Sequence, residues 1–241
     1  VPARFLKTVA VISAATLSIV GSIFSHDARA QGAHLGHTPG YSHLSIDGYA
    51  LRWPANGPGG RVSLTWSFAG GRYDSPKAIN CKSMSPMDPI ARQLGHDTLR
   101  RETQAAFAAW QMATNIDFKF SENWQAANIL IGAQTVPAGV AFANVDFAGE
   151  KGKRQASIRK GLVCLNPLRL WKSRFDGNLE ILDLRYVLMH EIGHTLGLDH
   201  AGSRGQLMSF KYLEQFRDLQ PGDVAGITAL YGAKRLATRQ P

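Results

Sequence analysis

Three histidines and a glutamate stand at fixed intervals in His190-Glu191-Ile192-Gly193-His194-Thr195-Leu196-Gly197-Leu198-Asp199-His200, and no other stretch constrains the fold as strongly. On a helix, residues four apart lie one turn above each other, so His190 and His194 can aim two imidazole nitrogens at one point. Catalytic zinc takes three protein ligands at roughly 2.0–2.1 Å and keeps a fourth position open. A helix continued through His200 would carry the third ring away. Gly197 allows a positive-φ turn that stops the helix and folds His200 back towards the other two. Glu191 follows His190 directly, so it projects beside the metal instead of ligating it. That is the place for a general base acting on a metal-activated water. A packed or surface imidazole would explain any one of these histidines, but not the whole spacing.

Around this stretch the chain reads as one domain. Val62, Leu64, Trp66 and Phe68 alternate with polar residues, as in a strand with one buried face. A loop with the turn cluster Ser85-Pro-Met-Asp-Pro89 follows, and from Asp97 a helical stripe runs through Leu99, Thr103, Ala106, Phe107, Trp110 and Ala113 to about Asn115. Strands are expected at 116–120, 128–131, 140–147 and 156–165. Asn178 would cap a second long helix ending near Leu196, and a short helix is expected over 223–230. The order predicts one sheet with helices packed on it, an α+β or α/β layout. The expected partition is a leader over 1–30, an arm over 31–60, a catalytic domain over 61–233 and a tail over 234–241.

The leader follows from Arg4 and Lys7 ahead of an uncharged apolar run, Thr8 to Phe24, and then Ala28-Arg29-Ala30. This is the layout of a signal peptide cut after Ala30, which implies secretion or a periplasmic location. An uncleaved membrane anchor is the competing reading, and after removal no stable membrane insertion is expected. In an exported protein the pair Cys81 and Cys164 reads as one disulfide, two buried thiols being the alternative. The formal net charge is +9. Most basic residues are scattered, however, which favours a solvated basic surface over a nucleic-acid site.

Met208, in Leu207-Met208-Ser209, lies eight residues past His200. With the histidine motif it resembles the metzincin clan of zinc peptidases, in which a methionine-bearing turn lies beneath the three ligands. Within that clan the chain is most similar to the matrixin-type catalytic domains. Leu64-Thr65-Trp66-Ser67-Phe68, Ala105 to Trp110, Ala127 to Ile131 and Asp223 to Gly232 fall in the family's order. The resemblance implies a zincin-like fold with a mostly parallel five-stranded sheet, two long helices, a zinc cleft and a short C-terminal helix. It implies cleavage inside extended peptides, which would add a strand beside 140–147. It also implies a pocket for the residue after the scissile bond, walled by the segment past Met208. Val140, Phe210 and Tyr212 are the residues assigned to it, an aromatic wall that would suit a bulky apolar side chain.

The departures are specific. The arm has no cysteine for a thiol-on-zinc latency device, and no spacing matches the family's second zinc site. Phe210-Lys211-Tyr212 stands where the family has Pro-x-Tyr, and Phe210 is not the extra tyrosine ligand of some clan members. His34, His37 and His43 sit at loose intervals, and His96 reads as a helix-start residue. Calcium is a possible second cation, with Asp146 and Asp176 as candidates that read first as turn residues. Asp199 reads as a supporting carboxylate. The expected protein is a secreted, monomeric zinc endopeptidase with protein or peptide substrates. Two other classes stay open: a zinc-bearing peptide-binding protein without turnover, and a hydrolase of a non-peptide amide.

Overall fold

A computed structural model of the chain describes residues 40–78 and 80–234. The expected leader with its cut after Ala30, His34 and His37, and the tail beyond Lys234 lie outside the described residues.

Three short strands come first: β1 (Ser42–His43), β2 (Ser45–Ile46) and β3 (Tyr49–Arg52). Then follow β4 (Val62–Phe68), β5 (Tyr73–Asp74), β6 (Ser83–Ser85), α1 (Asp88–Leu94) and α2 (His96–Ala113). Next are β7 (Ile116–Phe120), β8 (Ile129–Gln134), β9 (Ala141–Gly149) and β10 (Gln155–Leu165). The chain closes with β11 (Trp171–Lys172), β12 (Leu182–Asp183), α3 (Leu184–Thr195), β13 (Leu198–Asp199) and α4 (Pro221–Tyr231).

Five strands form the body of the sheet in the order β7-β4-β8-β10-β9. All neighbours are parallel except β9, which runs antiparallel to β10 along one edge. Short strands β2, β3, β5 and β6 extend it. Every residue of β8 is buried, as a central parallel strand covered on both faces requires. One face carries the main core. There Trp66 stacks on Phe107 of α2 at 4.8 Å between ring centroids, and the Trp110 indole N–H donates to the Met189 carbonyl of α3 at 3.0 Å. On the other face a smaller cluster gathers Met84, Leu130, Phe142 and Leu162 around Cys81 and Cys164. These two cysteines are joined by a disulfide spanning 83 residues. In the chain-entropy treatment, closing a loop of that length stabilises the fold by about 4–5 kcal/mol.

Three readings of the sequence change. The sequence predicts a loose arm up to residue 60, yet Leu44, Ile46, Leu51 and Trp53 are buried in the main core. A tight turn at Asp47 and Gly48, both at positive φ, folds β2 against β3. The strands it joins are too short for their alternation to stand out among Gly, Pro and Ser. The segment 85–89 reads as a turn cluster, but Pro89 lies in the first turn of α1, where proline has no helical hydrogen bond to lose. Finally, α3 starts at Leu184, not after Asn178. The Asn178 side chain accepts from the Glu180 N–H in a turn, and Leu182–Asp183 pairs with β11. Asp183 is the cap, its carboxylate accepting the Tyr186 N–H at 2.9 Å.

Candidate metal centre and active site

Helix α3 is buried from Tyr186 to Thr195, with α2 packed along it. It ends on Gly197, whose φ is +96° and where a Cβ would lie 2.3 Å from the Leu51 carbonyl oxygen. Two separate causes therefore demand glycine: a left-handed backbone and the close passage of β3. The Leu44 N–H donates to the Gly197 carbonyl at 2.8 Å, and the Trp53 indole N–H donates to the Thr195 carbonyl at 2.8 Å. Antiparallel pairing of β13 with β1 then sets the return path to His200. Gly197→Ala should cost on the order of 3 kcal/mol in folding stability. Denaturant titration checks this, and a loss under about 0.5 kcal/mol, the scatter of neutral surface changes, would contradict it.

The three rings meet as the spacing predicts. His190 Nε2 lies 3.1 Å from His194 Nε2 and 3.3 Å from His200 Nε2. Four ligands at about 2.05 Å from a tetrahedral zinc stand roughly 3.3 Å apart, so the spacing suits that ion. The opposite nitrogens are occupied: His190 Nδ1 contacts the Leu207 carbonyl at 2.8 Å and His194 Nδ1 the Leu198 carbonyl at 2.9 Å. Those carbonyls place the ring protons on Nδ1 and leave the Nε2 lone pairs facing one another. Burial, with His200 beside it, pushes the His190 pKa down to about 3. Burial also lowers His194 and His200, so all three are neutral, the form that binds metal. Among the described residues this is the one cluster of three or more His, Cys, Asp or Glu side chains placed to hold a metal.

The Met-turn is fixed from below. The Leu207 and Met208 N–H groups donate to the fully buried Asp223 carboxylate at 2.8 and 3.0 Å. Met208 sits against bare backbone at Gly193, where a Cβ would approach its sulfur to 2.4 Å. Gly193, Asp223 and Leu51 are thus supports that the ligand motif does not announce. The capping box from Gln220 to Asp223 is a legible signal for the second of them.

Glu191 is fully buried, and neither carboxylate oxygen has a hydrogen-bond partner. Burial raises its pKa well above the usual carboxylate range; the Ala143 amide of β9 opposes this without making a hydrogen bond of good geometry. The carboxylate therefore lies between the ligands and the edge strand. Of the residues assigned to the pocket, Val140 is 1% exposed and belongs to the core, its carbonyl taken by the Asn166 N–H. Phe210 is 44% exposed and stands edge-on to His200, with centroids 5.1 Å apart. Tyr212 turns inward onto Tyr186. Asp176 is ion-paired with Lys172 and accepts the Asn178 N–H, and Asp146 is exposed on β9. His43 contacts the Gly226 carbonyl at 3.1 Å, and Asp199 accepts the His200 N–H at 2.7 Å.

Residues 83–232 match the family model for matrixin. The chain is a matrixin. It is 29% identical over 191 residues to metalloendoproteinase 2-MMP of Arabidopsis thaliana, covering 76% of this chain and 43% of that protein. It is 42% identical over 81 residues to mouse matrix metalloproteinase-19, covering 33% of this chain and 15% of the relative. A putative matrix metalloproteinase of Spodoptera frugiperda ascovirus 1a matches at 25% over 217 residues, 83% of this chain and half of that one. The matrixin thus spans half or less of the length of these relatives. Its three histidines are the zinc site of the family.

Proposed function

We propose that this matrixin is an exported zinc endopeptidase that hydrolyses internal bonds of extended polypeptides. The observation that carries the reading is the unpartnered Glu191 carboxylate, buried beside three converging neutral imidazoles. A purely structural zinc site closes its fourth position and has no use for such a carboxylate. That disfavours a binding protein without turnover.

His190, His194 and His200 would hold the zinc, which supplies Lewis-acid polarisation of the scissile carbonyl and lowers the pKa of a water. Glu191 takes a proton from the attacking water as its oxygen adds to the carbonyl carbon. It then delivers that proton to the amide nitrogen as the C–N bond breaks. The outer edge of β9 has no strand partner among the described residues and passes the Glu191 carboxylate at Ala143. An extended peptide added there would place a carbonyl near the metal. This edge favours a polypeptide over a small non-peptide amide. The Cys81–Cys164 disulfide suits an oxidising compartment, and no described helix is long and apolar enough to cross a membrane.

Digestion of a mixed peptide library, read by mass spectrometry, tests the proposal. Internal cleavages should appear, stop with chelator and return with added zinc. Peptides that are retained but never cut would support the binding protein instead.

A further inference from the structure

We infer that this matrixin takes no calcium beside its zinc, because lysine ammonium groups hold the two places considered for that ion: Lys172 at Asp176 and Lys160 at Asp146. The inference concerns what cross-links the fold, so it stands apart from the endopeptidase reading.

Lys172 ends β11, where pairing with Asp183 of β12 fixes its backbone. Its ammonium stands among three oxygens: Asp176 Oδ1, Glu214 Oε1 at 2.5 Å and the Asn178 carbonyl at 2.6 Å. An ammonium has three donors and no acceptor, so three oxygens use all of them. Calcium asks for six to eight oxygens, at roughly 2.3–2.6 Å. The oxygens here are also committed elsewhere. Glu214 Oε2 accepts the Asp176 and Gly177 N–H groups at 3.1 and 2.7 Å, and Oε1 accepts the Tyr212 hydroxyl at 2.7 Å. Asp176 Oδ1 accepts the Asn178 N–H at 3.0 Å. The Lys172 side chain is 10% exposed and that of Glu214 5%, which leaves little room for the waters that would complete a metal's shell. Burial works against the ammonium charge, yet Asp176 and Glu214 hold the Lys172 pKa above the usual lysine value. The charge is therefore permanent near neutrality.

Lys160 repeats the device at the other candidate. It pairs in register with Asp146, beside the irregularity in the β9–β10 ladder. Its ammonium donates to the Ala127 carbonyl at 2.5 Å and the Gln125 carbonyl at 3.1 Å, and lies 5.4 Å from the centre of the Tyr73 ring. A positive charge at that point disfavours a divalent ion beside Asp146. Each lysine joins segments that a structural metal would otherwise tie together. Lys172 links the loop at 172–178 to Glu214, past the Met-turn, and Lys160 links β10 to the loop that enters β8.

The test compares thermal midpoints of the zinc-loaded parent and Lys172→Ala in calcium-free buffer and in about 10 mM calcium chloride, above the Kd of even weak extracellular calcium sites. Sodium chloride at the same ionic strength controls for screening. Calcium should move the parent by less than about 1 °C, where a filled site would raise it by about 3 °C or more. Lys172→Ala leaves Asp176 and Glu214 without their cation and opens space between them. Its midpoint should fall by about 4 °C or more, and calcium but not sodium should recover about 3 °C or more of that, with zinc content unchanged. A parent stabilised by calcium overturns the inference, as does a Lys172→Ala variant that gains no more from calcium than from sodium. Should the variant fail to fold, equilibrium dialysis of the parent against calcium decides: no retained calcium supports the inference, and stoichiometric calcium overturns it.

Discussion

Glu191→Gln should reduce peptide turnover by about 10²–10⁴-fold, the range for loss of a positioned acid–base group, while zinc and fold persist. The substitution keeps the size of the side chain and removes only its capacity to carry a proton. Glu191 is fully buried, and neither of its oxygens is used by another protein group, so no fold-stabilising contact is lost. Turnover of a quenched peptide library and zinc content, measured on one preparation, check both halves. A variant that cuts as fast as the parent with its zinc intact would remove Glu191 from the reaction.

The centre is legible in the sequence because its information is local. Two ligands one helical turn apart, a base beside the first and a glycine at the helix end are all contained in residues 190–200. Strands of five or more residues are legible for the same reason: β4 and β7 carry their own alternation or apolar run. What stays hidden depends on distant partners. Leu51 matters because its carbonyl fills the space beside Gly197, which lies far along the chain from it. Trp53 matters because its indole reaches the carbonyl of Thr195, and nothing near Trp53 announces that contact. The start of α3 is misplaced from sequence because Asn178 and Asp183 are both good caps, and only the pairing of β12 with β11 decides between them. Tyr212 is legible as a neighbour of the site but not in its direction. Its hydroxyl partners, Glu214 and the Asp183 N–H, turn the ring onto Tyr186.

Zinc content with and without His194 tests the central claim most directly. His194 is fully buried, its Nδ1 is held on the Leu198 carbonyl and its Nε2 lies 3.1 Å from that of His190. Removing it leaves two nitrogen ligands, which hold a catalytic ion poorly. Metal analysis of purified protein should give about one zinc per chain for the parent and close to none for His194→Ala, with peptide cleavage lost in step. Full zinc occupancy in His194→Ala, or a zinc-free parent that still cuts peptides, would contradict the assignment of this centre.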